Sequence, residues 1–154
     1  MAKKFEELSP KLITFIEEQK LFFVGTAMEE GRLNISPKGM NSLRVLGPNK
    51  VVWLNMTGSG NETATHLQFS DRMTILFCSF EDKPLILRLY GKAVAFHERD
   101  EAFSEYKNLF PDAVGARQIV EMTVDMVMTS CGYGIPIMEF KEERTQLVKF
   151  ISDG

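Results

Sequence analysis

Three polar, breaker-rich segments hold the residue types that could do chemistry in this chain. The first, Asn34-Ile35-Ser36-Pro37-Lys38-Gly39, stands where an apolar strand should continue. The Ser36 hydroxyl can donate and accept, and the Lys38 ammonium is a point charge suited to phosphate, so this strand end could meet an anionic or polar ligand. An ordinary bulge with a solvated Lys38 explains the same residues without a ligand. The second segment, Trp53 to Thr63, leads a glycine-containing loop into a short helix starting at Glu62. Free backbone N–H groups and the positive dipole end there could bind an anion. A capping box over Ser59-Gly60-Asn61-Glu62 accounts for the pattern as well, and the Glu62 carboxylate already occupies the favourable dipole position. The third, Cys131-Gly132-Tyr133-Gly134-Ile135-Pro136, sets two glycines around a tyrosine, which lets backbone approach a flat ligand closely. Its plain alternative is a surface turn with an inert buried cysteine. Arg88, inside Leu87-Arg88-Leu89-Tyr90-Gly91, is a charge in an apolar strand and needs a partner or a water-facing side.

Other chemistries are missing. Only His66 and His97 are available, with no Cys-x-x-Cys or His-x-x-x-His spacing, so no metal site is expected. The nucleophile elbow, the Gly-x-x-x-x-Gly-Lys phosphate loop and the Rossmann glycine fingerprint are all absent. Cys78, within Ile75-Leu76-Phe77-Cys78, reads as core, and the nine methionines read as adaptable core filler.

The elements that must position these residues are short. The chain has 154 residues, 44% hydrophobic and 25% charged, which suits a single domain over 1–154 with a real core. Its 18 basic and 21 acidic residues give −3 with no basic cluster, so nucleic acid is not an expected partner. The longest uncharged run, Met126 to Met138, has 13 residues and is broken by glycines and a proline, too short to span a bilayer. The N-terminus carries no signal-peptide pattern and two cysteines make no disulfide framework, so a cytoplasmic protein without membrane attachment is expected.

Ser9-Pro10 starts a helix that ends near Gln19. Strands follow at Leu21 to Ala27 and Leu33 to Ser36, the latter interrupted at Pro37, then at Ser42 to Leu46 and Lys50 to Asn55 around a Gly47-Pro48-Asn49 turn. Glu62 to Phe69 reads as helix, Met73 to Phe80 and Pro84 to Phe96 as the longest strands, and Asp100 to Leu109 as helix with Phe103, Tyr106, Leu109 and Phe110 on one stripe. From Gln118 to Thr129, Val120, Met122, Val124, Met126 and Met128 alternate with polar residues, a half-buried strand. Leu147, Phe150 and Ile151 suggest a last helix. Six or seven short strands with few peripheral helices point to a mainly β, antiparallel barrel.

The order of these landmarks resembles the pyridoxamine 5′-phosphate oxidase-like family of flavin-binding split barrels. The resemblance runs over residues 5–150: Phe22-Phe23-Val24-Gly25-Thr26-Ala27, Gly31 to Gly39, Val51-Val52-Trp53-Leu54, Gly58 to Leu67, Met73 to Cys78 and Arg88 to Ala93. It is nearest to an uncharacterised subgroup that carries Ser-Pro-Lys-Gly, Gly-Asn-Glu-Thr-Ala and Ser-Cys-Gly-Tyr-Gly together. The resemblance implies a homodimer of six-stranded antiparallel split β-barrels with FMN at the dimer interface. It implies that the strand with Asn34, Ser36, Pro37 and Lys38 lies along the flavin. Val52, Trp53 and Leu54 would offer backbone contacts, and Asn61, Glu62 and Thr63 would face the phosphate. Cys131 and Tyr133 would approach from the partner subunit, and Arg88 would help hold the cofactor.

The sequence also departs from that pattern. The oxidase of the family carries an Arg-Lys pair where Glu62-Thr63 stand here, a loss of two positive charges with one negative added. Its C-terminal arginine segment is absent too, so vitamin B6 oxidation is not expected. The expectation is an FMN-dependent oxidoreductase acting on an unidentified small molecule. The alternatives are a non-enzymatic dimeric binder of flavin, haem or another ligand, and a reductase using the deazaflavin F420.

Overall fold

A computed structural model describes residues 1–58 and 61–154 of the chain. Eight strands and four helices follow in the order β1 Lys3–Phe5, α1 Pro10–Glu18, β2 Phe22–Thr26, β3 Asn34–Lys38, β4 Leu43–Gly47, β5 Lys50–Met56, α2 Glu62–Leu67, β6 Arg72–Cys78, β7 Ile86–Phe96, α3 Glu101–Lys107, β8 Ala116–Ser130 and α4 Gln146–Asp153. The strands form one antiparallel sheet in the order β3-β2-β6-β7-β8-β5-β4, with β1 added beside the far half of β8. The architecture is a mainly β split barrel. The strand number exceeds the expected six because β4 is a full strand and the N-terminal Lys3–Phe5 pairs with Val127–Thr129, which no hydrophobic alternation signals.

β8 organises the sheet. It pairs with β7 along its length, with β5 over its first half and with β1 over its second. The two ends of the sheet, β3 and β4, are consecutive in sequence, and the turn between them brings the edges together. Ser42 Oγ donates to the Gly39 carbonyl at 2.7 Å across that turn, where Met40 and Asn41 both take left-handed backbone with φ of 58° and 54°. Pro37 belongs to β3 rather than interrupting it, since an edge strand tolerates a residue without an N–H.

One core fills the barrel: Val24, Trp53, Ile75, Phe77, Leu87, Leu89, Met122 and Val127, with Leu8 and Ile16 of the N-terminal segment across one end. α1 is held by its N-cap, the Ser9 side chain accepting from the Leu12 N–H at 3.3 Å, with Pro10 in the first turn. A second, smaller core lies on the other face of β5 and β8, where Val52, Leu54 and Ile119 meet Phe103 and Phe110 around α3.

The expected alternation of β8 holds only to Val124. Pairing shifts between Tyr90 and Gly91, so that Gly91 faces Val124 and Tyr90 faces Met126, with Asp125 as the extra residue. The inward set therefore changes from Val120, Met122 and Val124 to Val127, and Met126 and Met128 turn to the outer face. Gly91 permits this close passage: a Cβ there would meet the Thr123 carbonyl oxygen at 1.9 Å. Cys78 likewise lies on the outer face and is only half-buried, because the β6 residues in the inward register are Met73, Ile75 and Phe77.

Candidate functional site

Paired residues of antiparallel strands share a face. Lys38, Ser36 and Asn34 pair with Phe22, Val24 and Thr26, so this row of β3 points into the barrel although β3 is an edge strand. On β5, Trp53 and Asn55 point the same way, Asn55 opposite Gln118 of β8. The barrel interior is therefore apolar at one level and polar along the seam where β3 approaches β5.

Two hydrogen-bond chains organise that seam. Lys38 Nζ donates to Asn55 Oδ1 at 3.2 Å, and Asn55 Nδ2 donates to Gln118 Oε1 at 2.8 Å. Asn34 Nδ2 donates to Ser36 Oγ at 3.0 Å and to Thr63 Oγ1 at 3.2 Å. Thr26 Oγ1 stands between Thr63 Oγ1 at 3.4 Å and His66 Nδ1 at 3.0 Å. Thr63 and His66 are three residues apart on α2 and so share its buried face.

This arrangement leaves donors in excess. Ser36 accepts from Asn34, so its own hydrogen is available, and among the described residues it has no acceptor. Lys38 has three N–H donors and gives one to Asn55. Trp53, fully buried, has its Nε1 without a partner among the described residues, and Lys38 Nζ lies 5.3 Å from the centre of its ring. Burial pushes the Lys38 ammonium below its ordinary pKa, the Arg117 charge adds to this, and the Glu62 carboxylate opposes it. Arg117 itself donates from Nη2 to the Gly58 carbonyl at 2.9 Å. The seam thus gathers two cations, one carboxylate and several uncommitted N–H and O–H groups, which suits an acceptor-rich ligand carrying negative charge.

Of the residues expected from sequence, Asn34, Ser36, Lys38, Trp53 and Thr63 come together here, with Glu62 close enough to act on Lys38. Pro37 faces outward opposite Phe23. The Val52 and Leu54 side chains enter the second core, so from that stretch only Trp53 points at the seam. Asn61 is the N-cap residue of α2 without a side-chain cap bond, and the capping-box Ser59 lies outside the described residues. Arg88 is on the outer face, its Nη1 donating to Ser130 Oγ at 3.3 Å. Cys131 and Tyr133 follow Ser130 and are exposed, Tyr133 at 81%, so Cys131 is not a buried core residue.

Sequence reasoning missed Thr26, Asn55, His66, Gln118 and Arg117. Thr26 and Asn55 had a signal, each standing two residues beyond a core residue on the inward face of its strand. The pairing of Asn55 with Gln118, 63 residues apart, had none.

Among the described residues no cluster of three His, Cys, Asp or Glu could hold a metal ion, and no helix is long and apolar enough to cross a membrane.

Residues 8–131 match the family described as pyridoxamine 5′-phosphate oxidase. A curated relative, the pyridoxamine 5′-phosphate oxidase family protein ustO of Aspergillus flavus, is 38% identical over 140 residues, 88% of this chain and 56% of the relative. The chain thus spans about half the length of that relative. The solved structure of HupZ from Group A Streptococcus superposes with a TM-score of 0.65 at 18% identity, covering 79% of this chain and 98% of that one. An FAD binding protein from Mycobacterium smegmatis gives a TM-score of 0.57 at 14% identity over 82% of this chain and 97% of that chain. An FMN-binding protein from Syntrophomonas wolfei gives 0.54 at 13% identity over 75% and 80%.

Proposed function

The chain belongs to the pyridoxamine 5′-phosphate oxidase family, and from that premise we propose that it binds a flavin, FMN in the first instance, along the β3 seam. The observation that carries this reading is the inward row Asn34, Ser36 and Lys38, whose spare hydroxyl and ammonium hydrogens face the same side as Trp53 and Thr63. A flavin is rich in carbonyl, ring-nitrogen, ribityl and phosphate acceptors, and a donor-rich seam matches it where an acceptor-rich one would not. Solved structures of this fold described as FAD- and FMN-binding support the same reading.

Ser36, Lys38 and Thr63 would hold the cofactor, with Asn34 fixing both hydroxyls and Asn55 and Gln118 fixing the Lys38 stem. A bound flavin supplies hydride and electron transfer, which makes oxidoreductase activity on a small molecule the first functional reading. The chain's own residues bind, orient and exclude water. The proposal includes a homodimer. The outer face of β2, β6 and β7 holds an apolar groove of about 540 Å³ around Phe23, Leu76 and Tyr90. Beside it Ile35 is 69% exposed, and Tyr133, Ile137 and Met138 are exposed in the segment after β8. That much apolar surface fits a face covered by a second copy.

The test is a visible absorbance spectrum of the purified protein, mass identification of whatever denaturation releases, and titration with FMN, FAD and riboflavin. A released or tightly titrating flavin, reducible by a nicotinamide donor and reoxidised with turnover, is the expected result. Reduction without turnover turns the reading to a flavin-binding protein. A colourless protein that takes up none of the three overturns it. Light scattering at the dimer mass supports the homodimer, and a monomer at working concentration refutes it.

A further inference from the structure

Arg117 lies outside every segment that the family resemblance marks, yet the structure carries it to the seam. β8 would ordinarily turn Arg117 away from Gln118, its inward-facing neighbour. The ladder between β5 and β8 is irregular at this point: Asn55 faces Gln118, but Met56 faces Ala116, leaving Arg117 as the extra residue. A bulge of this kind re-aims a side chain. Here it sends the guanidinium to the carbonyl of Gly58, just past the end of β5, at 2.9 Å. The Thr57 N–H and Oγ1 both donate to the Gly115 carbonyl, at 2.7 and 2.9 Å, which ties the β5 end to the residues preceding β8. Gln118 is bonded to Asn55, and Asn55 to Lys38, so Arg117 adjoins the polar chain that ends on the ammonium. The Arg117 charge is felt at Lys38, where it disfavours protonation, as does burial.

We propose that Arg117 and Lys38 together form the cationic pole of the seam and bind a phosphate monoester, Arg117 supplying the second positive charge that Glu62-Thr63 do not. The inference rests on the flavin reading for its ligand, the phosphate of FMN. Two cations brought together in a partly buried site repel each other, and an anion between them reverses that cost. A guanidinium offers a planar fork that suits phosphate oxygens, and Lys38 adds a point charge. Glu62 leaves the pole with one net positive charge, so a phosphate is bound with less surplus charge than an Arg-Lys loop would give.

The experiment compares wild type, Arg117→Gln and Arg117→Lys for binding of FMN and of riboflavin, which lacks the phosphate. Thermal melts confirm that each variant is folded. Wild type should prefer FMN over riboflavin, and Arg117→Gln should lower FMN affinity by about tenfold or more while leaving riboflavin affinity unchanged. Arg117→Lys should keep an intermediate preference. Equal losses for both ligands, or no loss for either, overturn the proposal. If wild type binds neither flavin, the flavin reading fails, and inorganic phosphate followed by amide NMR shifts decides Arg117 alone. Shifts around Lys38 and Gly58 in wild type that vanish in Arg117→Gln support the anion pole. Absent shifts, or shifts the variant retains, overturn it.

Discussion

Replacing Lys38 by methionine should weaken FMN binding by about 10- to 150-fold, while the same change at Lys92 should leave it unaltered. The figure follows from the worth of a hydrogen bond to a charged group, about 1.5–3 kcal/mol, at about 1.4 kcal/mol per decade of affinity. Lys38 points into the seam with two of its three N–H donors uncommitted, whereas Lys92 is an exposed residue on β7 opposite Arg72. Methionine keeps the aliphatic stem against Trp53 and removes only the charge and its donors. The assay is flavin fluorescence titrated with each variant, checked by the emission of the single tryptophan, which belongs to the site. The pH dependence has a fixed sign. Burial first, then Arg117, depresses the folded-state pKa of Lys38 below 10.5. In the window between the depressed value and 10.5 the unfolded chain holds the extra proton, so ligand-free stability gains as pH rises through it. Affinity for an anion moves the opposite way, falling as the ammonium deprotonates, and Lys38→Met should flatten both slopes. Coincident titration curves for the Lys38 and Lys92 variants would refute the placement of the ligand at β3.

Gly91→Ala should destabilise the fold by about 1–3 kcal/mol, or a drop in Tm of roughly 2–12 °C, because the new Cβ meets the Thr123 carbonyl oxygen inside the ladder. A melt within 1 °C of wild type, on the same per-kcal scaling, would show that the β7–β8 irregularity can relax. The Tyr106 hydroxyl donates to Glu121 Oε2, and that bond, with lesser burial and charge effects, pushes the phenol pKa up to about 12. Near-ultraviolet phenolate absorbance should therefore show one tyrosine ionising late, and Glu121→Gln should return it towards 10. The bond's contribution to stability is present below pH 10 and lost as pH rises towards 12, since the folded state holds the proton more tightly. Unchanged ionisation in Glu121→Gln would remove Glu121 as the cause.

Much of this molecule is local chemistry and can be read along the chain. Ser9-Pro10 specifies the start of α1 because the cap and the fixed proline φ act within one turn. Pro48 and Asn49 form the turn between β4 and β5 for the same reason. Period-two patterning places β2, β5, β6 and β7 within a residue or two at most ends, since a strand buried on one face must alternate. The inward row Asn34, Ser36 and Lys38 was legible as chemistry but not as interior, because only pairing with Phe22, Val24 and Thr26 decides which way it points.

The sequence by itself determined a mainly antiparallel β chain, its turns and caps, and the residue types gathered at β3. Those follow from near-neighbour sterics and from burial of one strand face. The tertiary structure alone decided what meets what. Asn55 finds Gln118, Thr63 and His66 close over Thr26, and Lys3–Phe5 joins β8, all through contacts whose partners lie tens of residues apart. Two ladder irregularities did the rest: one turns Met126 and Met128 outward, the other brings Arg117 to the seam. A single extra residue reverses the facing of all that follow it, because side chains alternate with a period of two, and that residue becomes visible only when the partner strand is in place.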